Sequence, residues 1–225
     1  MQLKNYVEDN DFAVATEIYN AKFDSVEDVV VLMKKIAEER AKFDDIICEF
    51  NCTLYNIKVC LSNLVYYKER LKKFYEFKNS HIANLIESFI VDNTEDGLYA
   101  IKEEIERSND FDVHIIPKWK QGDRERAYGF TYNECFHIGY TNTYYTFDNW
   151  DINEDIQNVQ NNIEECEENI QKWIDKKEQM YDEYGFDALI LVFSKFEKDN
   201  GPMKADDNWV GGKIIEDYKD YYEIY

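Results

Sequence analysis

Residues 148–169 read DNWDINEDIQNVQNNIEECEEN. This stretch has eight acidic residues and no Lys or Arg, yet its apolar residues recur at steps that alternate between four and three. Such heptad spacing predicts an amphipathic helix with coiled-coil-like packing. The helix is expected over about 151–184, capped by Asp148 or Asp151 and stopped by Gly185. Its apolar seam, broken by Lys177, is Ile152, Ile156, Val159, Ile163, Cys166, Ile170, Trp173, Met180 and Tyr184.

A second heptad pattern occupies about 25–78 and predicts a longer helix, with Ser25 and Asp28 as its N-terminal cap. Its seam, broken by Arg40 and Lys68, is Val29, Met33, Ile36, Phe43, Ile47, Phe50, Leu54, Ile57, Leu61, Leu64, Leu71 and Tyr75. Residues 58–78 carry six bases and two acids, whereas residues 151–168 carry seven acids and no base. We therefore expect the two helices to pack antiparallel, with opposite charges setting the register. Pairing of each seam with its own copy in a dimer is the alternative.

The remaining segments suggest mixed structure. Residues 80–91 and 94–108 have the pattern of short helices, and residues 111–150 alternate like strands rich in Tyr and Thr. The apolar run 187–196 is typical of a buried strand. The predicted fold class is α+β: a long antiparallel heptad-patterned helical hairpin with a small, mostly antiparallel β-sheet and short flanking helices. The predicted segments are helical 1–110, β-rich 111–150, helical 151–184 and a closing strand and tail 185–225, and we expect them to form one composite domain.

Composition narrows the class of protein. The 225 residues include 47 acids and 26 bases, for a net charge of −21, and 44 % of them are hydrophobic. A chain this acidic repels nucleic acid and anionic membranes and attracts basic proteins. The five cysteines have no framework spacing, and no apolar run is long enough to span a bilayer, so we expect a cytoplasmic protein with reduced thiols. Frequent Asn, Lys, Ile and Tyr suggest an AT-rich bacterial or phage genome.

One constellation has catalytic residue types. Cys135 and His137 would share one face of a strand, and Asp112 and His114 have the same spacing in another. The four could bind zinc or form a Cys/His nucleophile pair, which makes a metal-dependent enzyme an alternative function. No CxxC or HxxxH accompanies them, so we interpret them as ordinary sheet residues and predict no catalytic residue, metal or cofactor.

Three weaker motifs have structural explanations as well. Cys48 and Cys52 lie four residues apart near Asp45 and could bind a metal, but cysteine is also a small core residue. The segment from Asp151 resembles an EF-hand loop but lacks its Gly and final Glu, so calcium binding is excluded there. The basic stretch 118–126 is interpreted as a solvated hairpin turn.

The outward positions of the acidic helix carry most of the functional signal. They are expected to form a ribbon of negative charge, or else a merely solvated face, consisting of Asp151, Glu154, Glu164, Glu165, Glu168, Asp175, Glu178 and Asp182. We predict a non-enzymatic inhibitor that blocks a basic nuclease or nucleic-acid-binding complex, as phage anti-restriction, anti-CRISPR or bacterial immunity proteins do. A coiled-coil scaffold is the second hypothesis, and the protein is expected to be a monomer or homodimer. The aromatic tail, with Tyr218, Tyr221, Tyr222 and Tyr225, could belong to the core or to an interface.

Overall fold

Helices account for most of the described chain in this computed structural model. The backbone is described for residues 1–92, 95–107, 113–116, 119–121, 124–126, 129–136, 139–146 and 150–203. The helices in these ranges are α1 Leu3–Glu8, α2 Asn10–Asn20, α3 Val26–Lys78, α4 His81–Asp92, α5 Glu95–Arg107, α6 Ile152–Tyr184 and α7 Phe186–Asn200. The two heptad helices and the two short helices between them in the chain were therefore predicted correctly, to within two residues at each end.

The predicted α+β fold class is wrong. Where the structure describes side chains as well as backbone, the chain is helical with no strand, and the fold is all-α. Every buried apolar residue described there, except Met203, belongs to a helix. The physical reason is that the apolar faces of the two heptad helices and the short apolar run 187–196 pack in helical cores. No sheet is therefore needed to cover these apolar surfaces.

Backbone strands occur only between α5 and α6 within the described ranges. They are β1 Val113–Ile116, β2 Trp119–Gln121, β3 Arg124–Arg126, β4 Gly129–Phe136 and β5 Gly139–Thr146. The order β1-β4-β5 is antiparallel throughout, and β2 pairs with β3 as a separate antiparallel pair.

The predicted strand at 187–196 is helix α7. Its buried residues are Ala188, Leu189, Val192, Phe193 and Phe196. Steps of one and three place all five on one face of a helix, whereas a strand would alternate between two faces. Gly185 ends α6 with φ 95°, a conformation that favours glycine, and α7 begins at the next residue. A short apolar run is compatible with a strand and with a helix, so the positions of its polar residues were the only indication of a helix.

The first of two compact units contains Met1–Ser62 and, among the described residues, 166–203. In it α3 and α6 run antiparallel: the Phe50 and Tyr181 rings lie 5.4 Å apart, and Thr53, further along α3, donates from its hydroxyl to Sδ of Met180, earlier in α6, at 3.9 Å. Lys176 also forms a 2.8 Å ion pair with Glu49. Helix α1 packs on α2 and α7. The core therefore comprises one face of each of these helices, with Phe50, Leu54, Ile170 and Leu189 fully buried.

The second unit contains Asn63–Glu165 among the described residues. Lys78 Nζ donates to Asn153 Oδ1 at 2.5 Å, and Gln160 Nε2 donates to the Tyr75 hydroxyl at 3.3 Å. These contacts have the antiparallel direction that the charge pattern predicted. The basic end of α3 does lie beside the acidic start of α6, although the contact of Lys78 is with an amide.

The heptad seam of α3 is out of register near its end. Phe74 and Phe77 are fully buried, whereas Tyr75, assigned to the seam, is 41 % exposed. A straight α-helix rotates by about 20° per heptad relative to a 3.5-residue repeat, so the inward face moves to neighbouring positions over six heptads. The seam was therefore correct in the middle of α3 and displaced at its end.

The predicted cap of α3 is a reciprocal capping box. The Asp28 amide donates to Ser25 Oγ at 3.2 Å, while the Ser25 amide and hydroxyl donate to Asp28 Oδ2 at 2.8 and 2.9 Å. The Ser25 hydroxyl hydrogen bond, with backbone amides, holds the pKa of Asp28 below its usual value of 3.8. These bonds satisfy amide groups that no helical carbonyl can reach.

Ser25→Ala should cost about 1 kcal/mol of unfolding free energy and lower Tm by roughly 2–4 °C, because it removes an N-terminal cap. Thermal unfolding followed by circular dichroism measures this change. Ser25→Thr keeps the hydroxyl and serves as the matched control. Equal Tm values for the Ala and Thr variants would show that the capping box does not stabilise α3.

Candidate functional site

Helix α6 positions the acidic ribbon by burying its opposite face. The Asp151 carboxylate accepts from the Asn153 amide at 2.9 Å and thereby caps the helix as predicted. Seam residues from Ile152 to Ile170 are buried, as is Met180. The eight outward acids, from Asp151 to Asp182, are all exposed. The apolar seam therefore fixes the rotation of α6 and turns these carboxylates to solvent.

In the second unit, the residues that α6 contributes to this face are acidic or neutral. Asp151, Glu154, Glu164 and Glu165 are exposed there, with Gln and Asn residues between them and no base from 151 to 165. Asp151 and Glu165 are separated along the axis by ~21 Å at the rise of an α-helix. This part of α6 therefore has exposed acids at its two ends and mainly neutral Gln and Asn side chains between them.

In the first unit, bases accompany the acids. Lys172 and Lys176 each lie 5.6 Å from the centre of the Trp173 ring, and Gln171 Nε2 donates to Asp175 Oδ1 at 2.8 Å. Glu49 of α3 pairs with Lys176. These residues border a shallow groove of about 760 Å³ that also contains Glu168. The acidic face is thus mixed in charge at this end.

Lys177, which interrupts the seam, is buried with 1 % exposure. Its ammonium lies 3.3 Å from Glu178 and 5.4 Å from the centre of the Tyr181 ring. Desolvation lowers the pKa of Lys177, and the Glu178 carboxylate partly opposes that shift. Glu178 therefore has a structural contact as well as a place in the acidic ribbon.

Cys48 and Cys52 border a recess of about 990 Å³ formed by α1, α3 and α7, together with Tyr6 and Lys195. The nearby Cys52 thiol is the main cause of a raised pKa at Cys48, which favours the neutral thiol over the thiolate that binds metals. Among the residues that the structure describes, no three His, Cys, Asp or Glu side chains come together as a metal site. The predicted i, i+4 pair is therefore a pair of neighbouring exposed thiols.

Two of the four residues in the alternative catalytic constellation, Asp112 and His137, lie outside the described residues, as does the tail 204–225. His114 lies on β1 opposite Thr131, and Cys135 lies on β4 opposite Tyr140. Four residues of β4 thus separate the register positions of His114 and Cys135, or roughly 13 Å along a strand. The backbone does not place these two residues side by side.

Sequence reasoning did not identify the exposed apolar residues at the start of the chain, from Phe12 to Met33. A signal was present: residues 29–33 read VVVLM, which is more apolar than one helix seam requires. The excess suggested a second apolar face.

No helix in the described ranges has the length and hydropathy to cross a membrane.

Comparison with known proteins finds no relative of this chain. No family model matches the chain, and neither the curated proteins nor the solved structures include a significant match.

Proposed function

We propose that this chain is a non-enzymatic inhibitor that binds a basic cleft through the acidic face of α6. The observation that supports this proposal is that all eight outward acids of one 33-residue helix are exposed while its opposite face is buried. A packed helix holds its side chains at a fixed spacing, so the carboxylates can meet a cleft without ordering a flexible chain.

The partner class follows from the sign of the charge and from its placement along one helix. Duplex DNA has about one negative charge per 1.7 Å of axis, and a groove that holds DNA is lined with Lys and Arg. The acids of α6 are sparser than phosphates, so they compete by electrostatic attraction and not by copying the duplex atom for atom. A nuclease or another nucleic-acid-binding complex is the partner that suits a chain of net charge −21.

The proposed setting is the cytoplasm of a bacterial cell, where a phage or the host would use such an inhibitor against a defence complex. The composition supports this setting. Attraction over a long acidic face would chiefly speed association, and the resulting affinity should fall as salt screens the charges.

The test is capture from bacterial lysate with tagged full-length protein, washed at about 50 and 500 mM salt, between which the Debye length falls from ~14 to ~4 Å. We expect a nucleic-acid-binding protein that is retained at low salt, released at high salt and displaced by added DNA or RNA. Affinities of the purified pair are then measured by calorimetry for two variants, E154Q/E164Q/E165Q and E168Q/D175N/D182N. Glu178 is left intact because it contacts the buried Lys177.

Each triple neutralisation should weaken binding by about fivefold, since exposed charge contacts contribute ~0.2–1 kcal/mol each. Lys172 and Lys176 already offset part of the negative charge at their end of α6, so E154Q/E164Q/E165Q should lose more affinity than E168Q/D175N/D182N. E38Q/E87Q/D96N removes three exposed acids outside α6 and is the matched control. Equal affinities for this control and both α6 variants would refute the proposed site.

A further inference from the structure

The first unit has an exposed apolar surface at the junction of α2 and α3. Val26 is 76 % exposed and Tyr19 is 88 % exposed, although both are large apolar side chains. The connection between the helices is short, so the end of α2 and the start of α3 lie together. We call the following set the N-terminal apolar surface: Ile18, Tyr19, Phe23, Val26, Val29, Val30 and Met33.

The α3 part of this surface is left uncovered by α6. Tyr181 contacts Phe50, and α6 ends three residues later, at Tyr184. Because the two helices are antiparallel, α6 cannot extend to Val29 and Met33, which lie roughly 25 Å or more from Phe50 along α3. Ile36, one turn after Met33, is buried at 3 % exposure. The predicted seam therefore continues past the end of α6, and its first two members, Val29 and Met33, are 40 % and 49 % exposed.

The area of this surface matches half of a standard protein interface. At their exposed fractions these seven residues present on the order of 800 Å², which is about what each partner buries in a stable complex. The largest apolar patch on a typical monomer is roughly 300–600 Å². An uncovered surface above that range indicates a partner.

The local charge permits that partner to be a second copy. Residues 12–42 contain five bases and six acids, for a net charge of −1, whereas the whole chain has −21. Two copies would repel each other through most of their surfaces, but hardly at this end. A strongly basic partner would instead be drawn to the acidic surfaces elsewhere on the chain.

The α3 segment is also self-complementary. Val26, Val30 and Met33 lie on one face at spacings of four and three, with Val29 beside them. Glu27 and Lys34 are exposed and seven residues apart, so they flank the same side of that stripe near its two ends. In an antiparallel two-fold pair, equivalent sides face each other in reversed order, which brings Glu27 of each copy beside Lys34 of the other.

We propose that two copies of this chain associate through the N-terminal apolar surface, with their α3 starts packed antiparallel about a two-fold axis between Val30 and Val31. Apolar burial provides the stability of the dimer, and the two symmetric Glu27–Lys34 pairs set its orientation. This inference is independent of the acidic face of α6.

The experiment is sedimentation equilibrium of the 225-residue chain and of four variants. The wild type should have twice the chain mass of 27.0 kDa, whereas V26S/V30S/M33S should have the single-chain mass with unchanged helical circular dichroism. Val59→Ser, which removes an exposed valine elsewhere in α3, should leave the dimer intact. Lys34→Glu should weaken the dimer about fivefold through two like-charge contacts, and E27K/K34E should restore it.

Three outcomes would overturn the proposal. A wild type that remains monomeric at about 100 μM would leave a foreign partner or residues 204–225 as the occupant of this surface. A dimer that survives V26S/V30S/M33S would form elsewhere on the chain. Failure of E27K/K34E to recover what Lys34→Glu loses would exclude the antiparallel arrangement.

Discussion

Phe50→Ala is expected to lower the unfolding free energy by about 3–5 kcal/mol, because a fully buried ring would leave a cavity in the first unit. Phe50 has 0 % exposure and lies 5.4 Å from the Tyr181 ring, so it joins α3 to the end of α6. Alanine is a better helix former than phenylalanine, so the loss would report packing and not helix propensity. Urea unfolding followed by circular dichroism measures it.

Tyr55→Ala is the matched control for this prediction. Tyr55 lies five residues further along α3 and is 58 % exposed. Its removal should change the unfolding free energy by less than about 0.5 kcal/mol, as is usual at surface positions. If the two variants lost the same amount, Phe50 would not be the core residue that the antiparallel packing of α3 and α6 requires.

Lys177→Met is expected to stabilise the protein by about 1–3 kcal/mol near neutral pH, since replacing a buried charge by an apolar side chain of similar size removes its desolvation cost. Lys177 is 1 % exposed, and its contacts with Glu178 and Tyr181 offset only part of that cost. Lys42→Met, at an exposed position of α3, should have almost no effect and serves as the control.

The gain from Lys177→Met should depend on pH in a defined direction. Desolvation holds the pKa of folded Lys177 below its usual value of 10.5, so the folded chain binds this proton more weakly than the unfolded chain does. The penalty is therefore complete below the folded pKa and disappears as pH rises through it toward 10.5. Unfolding free energies of both chains at about pH 7 and pH 10 test this. A gain that grows with pH would contradict the burial of a charged Lys177.

The elements with a sustained period were predicted from sequence because periodicity records which face is buried. The bounds of α3 and α6 followed from their seams and from local signals at Ser25, Asp151 and Gly185. The fold class did not follow, since the short apolar run of α7 satisfies a strand and a helix equally well. The burial of Phe74 and Phe77 in place of Tyr75 also depended on helix rotation, which no local window reveals.

The candidate site, too, could be predicted from the sequence only in part. Exposure of the eight acids on α6 follows from the heptad positions alone, because a helix that buries one face must present the other. The ion pair between Glu49 and Lys176 joins residues 127 positions apart in the chain, so it could not be predicted from either helix by itself.

By itself the sequence determined where the long helices begin and end, which faces they bury and how strongly negative the surface is, because these properties are local or additive. The tertiary structure decided that 187–196 is a helix, that Lys177 is enclosed and that the start of α3 extends past the end of α6. Each of these outcomes depends on which surfaces of distant segments pack together. The burial of a residue is set by those contacts and not by the residue type alone.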